Sequence, residues 1–192
     1  MATLQLAAAT TALVAIDLQR GILARQTAPH SAADVLKRSV QLADACRKAG
    51  ALVVLVRVAF SPDSRDRLAP PADDMAAATS PMAPDFADLA PELGPKPGDL
   101  VITKRQWNAF YGTELDLQLR RRGIRTLIFT GIATNIGVES SARAAYEHGY
   151  AQVFVEDATS TVIPGGHEFT FKYLFSRMGF VRSTSDVLAA LG

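Results

Sequence analysis

The stretch RTLIFTGIATNIGVESSARAAYEH (residues 125–148) joins two patterns that together decide the fold. Residues 125–132 form a short apolar run rich in β-branched side chains, which is typical of a buried strand. The residues that follow, to about His148, have the composition of a helix, with Gly137 at about its first turn. A buried strand that runs into a helix is half of a βαβ unit, so this stretch predicts an α/β protein.

Units of the same kind fill most of the chain. Strands are predicted at 11–17, 51–60, 99–104, 125–132, 151–157 and 179–184. Helices are predicted at 31–50, at 114–123, after the strand at 125–132 as far as about His148, at 167–178 and at 185–192. The strands are nearly continuous apolar runs, which indicates burial on both faces, as in a parallel sheet covered by helices. We therefore predict an open, doubly wound (Rossmann-like) α/β fold with about six parallel strands and helices on both faces. We expect a single domain over residues 1–192.

One segment interrupts the alternation of strands and helices. Residues 61–97 contain eight of the ten prolines, with Ala, Asp and Ser between them. A long irregular insertion of this kind is usually functional or flexible. Three alternatives remain open for it: a lid, an oligomer contact or a plain surface excursion.

Composition excludes several classes of function. The formal net charge is +1, which gives no reason to expect a nucleic acid or an acidic membrane as partner. The longest apolar runs are far shorter than a membrane span, and no basic residue precedes the N-terminal apolar stretch, so we expect a cytoplasmic protein. The single cysteine and the three histidines, which are isolated in the sequence, predict no metal site. No G-x-G-x-x-G follows the first strand, which argues against a nucleotide-binding module.

Polar groups follow three of the predicted strands. Asp17 ends the first strand, Lys104 ends the strand at 99–104, and the strand at 125–132 runs into a helix start. Ligands of open α/β sheets bind beyond the carboxyl ends of the strands. A carboxylate, an ammonium and the free N–H groups of a helix N-terminus therefore meet at one edge, although each alone has an ordinary structural explanation.

Three segments carry a resemblance to a known family. VAIDLQRG (14–21), the stretch from VITKRQWNAFYGTE to AAYEHGY (101–150) and VFVEDATST (153–161) together resemble the isochorismatase-like hydrolase superfamily. The resemblance covers nearly the whole chain except the proline-rich insertion. In most of that family the working group is an Asp, a Lys and a nucleophilic Cys in the first turn of a helix. Asp17 and Lys104 match this pattern, and the Cys position falls on Gly137.

The resemblance implies a hydrolase without a covalent cysteine intermediate. Cys46 shares the apolar stripe of a helix, and no histidine is placed to activate Ser140 or Ser141. Family members with glycine at this position include isochorismatases, which hydrolyse a vinyl ether and need a general acid, a pocket and space. Gly137 supplies the space, unless it only packs against a neighbouring strand. The stretch GIATNIG lacks the aromatic and histidine that isochorismatases carry at the places of Ala133 and Asn135, so the substrate is expected to differ.

Asp17 is the expected general acid, but its protonation presents a difficulty. Burial would raise its pKa, and a nearby Lys104 ammonium would lower it. A substrate carboxylate paired with Lys104 would cancel part of that effect, so we expect a metal-free hydrolase of a small, carboxylate-bearing metabolite with no cofactor. The alternative is a catalytically inactive relative that binds a metabolite or a partner protein.

Further residues are candidates for substrate binding. The resemblance implies a cis peptide between Ile132 and Ala133 that directs N–H groups towards the substrate. Trp107 and Phe110 follow Lys104 and could wall an apolar pocket, or else pack in the core or against another subunit. Arg57 ends the second strand and could clamp a carboxylate or form a structural ion pair. Relatives assemble as dimers or larger oligomers, so a homo-oligomer is expected.

Overall fold

A six-stranded parallel sheet forms the centre of the protein. The computed structural model describes residues 4–73 and 82–192. The strands are β1 (Thr11–Ile16), β2 (Leu52–Val58), β3 (Leu100–Lys104), β4 (Thr126–Ile132), β5 (Ala151–Ser160) and β6 (Phe180–Arg182). They lie in the order β3-β2-β1-β4-β5-β6, and every neighbouring pair is parallel. All six residues of β1 are buried, as its unbroken apolar run predicts.

Helices cover both faces of this sheet, which confirms the predicted doubly wound α/β class. The described helices are α1 (Arg20–Leu23), α2 (Ala32–Ala49), α3 (Leu115–Arg121), α4 (Glu139–Glu147), α5 (Gly166–Thr170), α6 (Ser176–Met178) and α7 (Thr184–Leu191). A π-helical turn at Thr134–Val138 leads from β4 into α4, and a second one at Phe171–Phe175 joins α5 to α6. The short helix α1 was not expected from the sequence. Within the described ranges, no helix has the length and apolar character needed to cross a membrane.

Alternate residues of the central strands point into two separate cores. Ala12, Val14 and Ile16 of β1 lie in the core that α3, α4 and the 171–175 turn cover. Leu13 and Ala15 lie in the other core, under α2 and α7. The side chains of a strand alternate between its two faces, so a strand between two cores must be apolar throughout.

The ends of helix α2 follow from local sequence signals. The Ser31 side chain accepts a hydrogen bond from the Asp34 N–H at 3.1 Å, which satisfies one free donor of the first turn. Gly50 ends the helix with φ of 79°, a left-handed conformation that favours glycine. The helix predicted at 31–50 begins and ends at these two residues. Cys46 of this helix is fully buried, and burial raises the pKa of its thiol to about 12.

Part of the proline-rich insertion is firmly attached to the end of β1. Ala90 and Leu93 are buried, and the Ala90 N–H donates to the Leu18 carbonyl at 3.0 Å. Gln19, which is also fully buried, forms an isolated antiparallel bridge with Leu89. A plain surface excursion is therefore the wrong interpretation for residues 85–93. The segment 74–81, inside the same predicted insertion, lies outside the described residues.

Candidate active site

Asp17 lies directly after β1, where the strand order reverses. Strand β2 follows β1 on one side and β4 lies on the other, which makes this the topological switch point of the sheet. The Asp17 backbone has φ of 55°, in the left-handed region that non-glycine residues seldom adopt. Its N–H donates to the Val56 carbonyl at 2.9 Å. A buried carboxylate on a strained backbone at the switch point is a candidate functional group.

Lys104 reaches this carboxylate from the end of β3, past the intervening strand β2. Its Nζ donates to Asp17 Oδ2 at 2.7 Å and to the Trp107 carbonyl at 2.8 Å. The side chains of Lys104 and Asp17 are only 2% and 8% exposed. Residues 87 positions apart in the sequence therefore form one desolvated ion pair.

Two opposing effects act on the Asp17 carboxyl group. Desolvation by burial raises its pKa, and the Lys104 ammonium lowers it through charge and a hydrogen bond. Burial is the larger effect, so the pKa of Asp17 lies above 3.8. Its Oδ1 atom is buried and has no hydrogen-bond partner among the described residues. The free carboxylate oxygen can therefore hold a proton or accept a hydrogen bond from a bound molecule.

Gly137 brings a helical backbone against the ion pair. A Cβ atom built at this position would lie 3.1 Å from Asp17 Oδ2, 3.1 Å from Lys104 Nζ and 3.2 Å from Ile16 Cγ2. These distances are shorter than ordinary van der Waals contacts, so a side chain would push at least one neighbour aside. Gly137 therefore packs against β1, and because it has no side chain its backbone can lie close to the carboxylate and the ammonium.

The corner between β4 and this turn contains the predicted unusual peptide. The Ile132–Ala133 bond is cis, as the family resemblance implies. The Ala133 carbonyl accepts hydrogen bonds from the N–H groups of Ile136 and Val138, at 3.1 and 3.2 Å. Ile132 is buried and Ala133 is partly buried, so both candidates lie at the carboxyl end of β4, beside the switch point.

The aromatic loop after β3 divides into exposed and buried residues. The Trp107 side chain is 65% exposed, and its contact with Lys104 is made by its backbone carbonyl. Phe110 is 7% exposed, with its ring 6.0 Å from that of Tyr150 and 5.4 Å from that of His148. Of the alternatives left open for Phe110, core packing is the one that the structure shows, since the ring lies under α3 and α4 and not in an exposed pocket wall.

Arg57 does not reach the ion pair through any hydrogen bond found among the described residues. Its Nε donates to Thr103 Oγ1 at 3.1 Å, across the β2–β3 pair. The side chain is partly buried. Its position near the carboxyl end of β2 agrees with the prediction, and its role in holding a carboxylate stays a prediction.

Two side chains that could have replaced a cysteine nucleophile have structural roles. Cys46 lies in the core under α2, away from the edge that holds Asp17. Ser141 is buried in α4, donates to the Gly137 carbonyl at 2.7 Å and accepts from the Ala109 N–H at 3.0 Å. Its hydroxyl therefore joins the aromatic loop to the Gly137 turn. The sequence analysis missed this link because the spacing between residues 109 and 141 carries no local signal.

The expectation that the histidines are isolated is wrong for two of them in space. The rings of His30 and His167 lie 5.7 Å apart, and both face the Glu156 carboxylate. Glu156 also escaped the sequence analysis, although a charged pair, Glu156 and Asp157, interrupts the apolar run of β5. Two charged residues inside an apolar run indicate an irregular strand, and β5 does shift its register against β4 at this place.

The fold and site together define the class of protein. They describe a doubly wound α/β protein with a buried Asp–Lys pair and a close glycine backbone at the switch point of the sheet. The isochorismatase domain model matches residues 11–186. The chain belongs to the isochorismatase family of hydrolases.

Individual relatives agree with this assignment. The isochorismatase family protein YwoC of Bacillus subtilis is 46% identical over 189 residues, which cover 98% of this chain and 97% of YwoC. The structure of an isochorismatase family protein from Burkholderia thailandensis is 44% identical, with a TM-score of 0.92 over 97% of both chains. The ureidoacrylate amidohydrolase RutB of Methylorubrum extorquens is 43% identical over 108 residues, 56% of this chain and 43% of RutB.

Proposed function

We propose that the protein hydrolyses a small metabolite that carries a carboxylate, at a vinyl ether or a related bond, without a covalent cysteine intermediate. The observation that carries the proposal is the buried and unpartnered Oδ1 of Asp17, beside Lys104 and Gly137. A buried polar atom without a partner is rare in folded proteins and calls for an explanation. A proton on this oxygen, or a substrate atom against it, supplies one.

Asp17 acts in this proposal as the general acid. Oδ2 remains bonded to Lys104, and Oδ1 holds the proton, because burial raises the pKa of the carboxyl group. The proton is transferred to the terminal vinyl carbon, and the ether carbon becomes an oxocarbenium ion. Water adds to this ion, its proton returns to Asp17, and the resulting hemiketal separates into a ketone and an alcohol. The net reaction consumes one water, and these steps use side chains and water only.

Lys104 holds the charge of the substrate. An ammonium has three N–H donors, and Asp17 and the Trp107 carbonyl accept from Lys104 Nζ. The remaining donor is available to a carboxylate, and a negative substrate compensates the buried cation better than a neutral one. Burial raises the pKa of Asp17 before any substrate is bound. The protonation of Asp17 therefore depends less on a substrate carboxylate than the sequence suggests.

A neutral amide is the competing class of substrate. RutB is named as an amidohydrolase, and an amide is usually attacked by an activated nucleophile. Gly137 supplies no thiolate, Cys46 is buried in the core and Ser141 is engaged at both sides of its oxygen. These contacts favour an acid-catalysed reaction with water over covalent catalysis.

The second candidate function is binding without turnover. Its support is that Gly137 supplies no nucleophile where most of the family carry a cysteine. For either function, the near-complete burial of Asp17 and Lys104 means that a neighbouring segment must move before a ligand reaches them. Two segments are candidates for that movement. The aromatic loop follows Lys104 directly and contacts it through the Trp107 carbonyl. Residues 85–93 are bonded to Gln19, two residues after Asp17.

A panel of enol ethers, amides and esters, each with and without a carboxylate, tests the two candidates. Product formation is followed by mass spectrometry and binding by thermal shift. We expect turnover of acidic enol ethers, and turnover about 10²–10⁴-fold slower by the Asp17→Asn variant. Faster turnover of neutral amides contradicts the proposal, and a ligand that raises the melting temperature without being consumed favours the binding protein.

We further propose that the protein is a cytoplasmic homo-oligomer. Several large apolar side chains are exposed, namely Trp107, Tyr111, Tyr146, Phe169 and Tyr173. A second copy of the chain could cover such residues. Sedimentation velocity of the purified protein tests the assembly, with a monomer at micromolar concentration as the contradicting result, and cell fractionation tests the location.

A further inference from the structure

Three potential metal ligands meet in a cluster that includes neither Asp17 nor Lys104. His30 Nε2 lies 3.2 Å from Glu156 Oε1, and His167 Nε2 lies 2.9 Å from the same oxygen. One ligand atom from each residue lies within 4.8 Å of the other two. Zn²⁺ bound by imidazole and carboxylate has metal–ligand distances of about 2.0–2.2 Å, which places neighbouring ligand atoms about 3.3 Å apart. The three atoms need to move by little to reach that geometry.

The backbone of His30 is held from two directions. Its carbonyl accepts hydrogen bonds from Thr27 Oγ1 at 2.8 Å and from Ser160 Oγ at 2.7 Å. Two residues before it, Ala28 forms an antiparallel bridge with Thr161, with N···O distances of 2.9 and 3.1 Å. The loop before α2 is thus fastened to the end of β5, which fixes the His30 backbone beside Glu156.

The imidazole of His167 is oriented before any ligand binds. This side chain, in the first turn of α5, is 2% exposed, and its Nδ1 lies 2.9 Å from Thr134 Oγ1. A metal-bound histidine commonly has a hydrogen bond on its other ring nitrogen, which sets its tautomer and angle. The Thr134 hydroxyl can accept from Nδ1–H as well as donate to Nδ1, so it suits a His167 that binds a metal through Nε2.

Glu156 projects from an irregular part of β5 and leaves the cluster open to solvent. The β4–β5 register passes from Phe129–Phe154 to Gly131–Thr159, so residues 155–158 include extra residues outside the regular ladder. The Glu156 side chain is 41% exposed and that of His30 is 23% exposed. An ion can therefore enter from solvent and keep water in its remaining coordination position.

We propose that His30, Glu156 and His167 form a binding site for one divalent transition-metal ion of the Zn²⁺ class. The ligands would be the two Nε2 atoms, one or both carboxylate oxygens of Glu156, and water. Two imidazoles with one carboxylate suit Zn²⁺, Co²⁺ or Ni²⁺, whereas Mg²⁺ and Ca²⁺ prefer sets of oxygen ligands. The bound ion joins the loop before α2, strand β5 and helix α5. This proposal is independent of the chemistry at Asp17.

The test uses the full chain without a polyhistidine tag, dialysed first against a chelator. Zn²⁺ or Co²⁺ is titrated in by calorimetry, with the visible absorption of Co²⁺ as a second readout and the melting temperature as a third. We expect one equivalent to bind, a rise in melting temperature, and a Co²⁺ spectrum of low coordination number.

Four variants show whether these residues are the ligands. His30→Gln and Glu156→Gln are expected to weaken binding at least about tenfold, and Thr134→Val about 10–100-fold through the loss of the bond to His167. His148→Gln is the matched control, because the third histidine is exposed and stands outside the cluster. It is expected to bind like the unchanged protein.

Two results would overturn the proposal. One is the absence of saturable binding near one equivalent, which would leave the cluster as two imidazole N–H groups bonded to one carboxylate. The other is equal affinity in His30→Gln, Glu156→Gln and His148→Gln. Because binding and melting are measured without a substrate, either failure leaves the proposed hydrolase function untouched.

Discussion

Asp17 is the residue on which the chemistry depends. An aspartate that is paired with a lysine is ordinarily ionised, and burial alone is what reverses the direction of the pKa shift here. Lys104 occupies one carboxylate oxygen and leaves the other without a partner. The same pair therefore combines a fixed positive charge with a carboxyl oxygen that is able to carry a proton.

The Asp17→Asn variant is expected to lose about 10²–10⁴-fold in kcat/KM, the range typical for a positioned general acid. The protonated form is active below the pKa, so kcat/KM should fall as pH rises through a value above 3.8. Initial rates across pH give this profile. Asp157→Asn is the control, since Asp157 accepts from the Thr184 N–H and hydroxyl at the start of α7. A rate that rises with pH over the same range would contradict the role of acid.

The Gly137→Ala variant distinguishes the effect of this residue on helix stability from its effect on turnover. Alanine favours a helix over glycine by about 1 kcal/mol, but its Cβ would lie 3.1 Å from both Asp17 Oδ2 and Lys104 Nζ. We expect kcat/KM to fall at least about tenfold, the equivalent of about 1.4 kcal/mol in the barrier, with little change in the free energy of unfolding. Steady-state kinetics and urea unfolding measure the two. Unchanged turnover would show that the reaction does not need the close approach of the Gly137 backbone to the pair.

At the scale of elements, the site depends on how three strand ends are joined to the segments that follow them. The Gly137 turn, the aromatic loop and Asp17 approach one another at the switch point. Ser141 connects the first two of these, since its hydroxyl bonds to both Gly137 and Ala109. The position of the Trp107 carbonyl, and so of Lys104, depends on the same loop.

Ser141→Ala is expected to lower the free energy of unfolding by about 1–3 kcal/mol, because it leaves the Ala109 N–H buried without a partner. Urea unfolding followed by circular dichroism measures the change. Ser140→Ala is the neighbouring control, at a partly exposed position of the same helix. Equal stability of the two variants would mean that the link between the loop and α4 contributes nothing.

For the whole molecule, Gln19 decides whether residues 85–93 remain on the sheet edge. Its Nε2 donates to the carbonyls of Val58 and Phe86, each at 2.9 Å, and its Oε1 accepts from the Val58 N–H at 2.8 Å. One buried amide thus joins the ends of β1 and β2 to the proline-rich segment. A lid and an oligomer contact are the two predictions that stay for this segment.

Gln19→Ala is expected to cost about 1–3 kcal/mol in unfolding free energy, since it leaves partly buried backbone groups of Val58 and Phe86 without this partner. The loss of protection from hydrogen exchange should be largest in residues 85–93, because the hydrogen bond from the Ala90 N–H to the Leu18 carbonyl belongs to the same contact region. Hydrogen exchange by mass spectrometry measures this. Gln41→Ala on the exposed face of α2 is the control. Unaltered exchange in 85–93 would contradict the proposed anchoring.

Local patterns in the sequence predicted much of the fold and part of the site. Apolar runs identified the six strands, and Ser31 and Gly50 identified the ends of α2. Asp17 and Lys104 were found because the carboxyl ends of parallel strands share one edge. For Phe110 the sequence left a pocket wall and core packing open, because an aromatic side chain in a loop has the same local appearance whether it faces solvent or the core.

The sequence by itself determined the class of fold, since doubly buried strands and amphipathic helices are local properties that periodicity records. The tertiary structure alone decided the direction of the Asp17 pKa shift, because desolvation depends on every segment that surrounds a group and not on its neighbours in the chain. It also brought His30, Glu156 and His167 together through a loop, an irregular strand and a helix start. Contacts of that kind depend on the packing of distant elements, which no short pattern specifies.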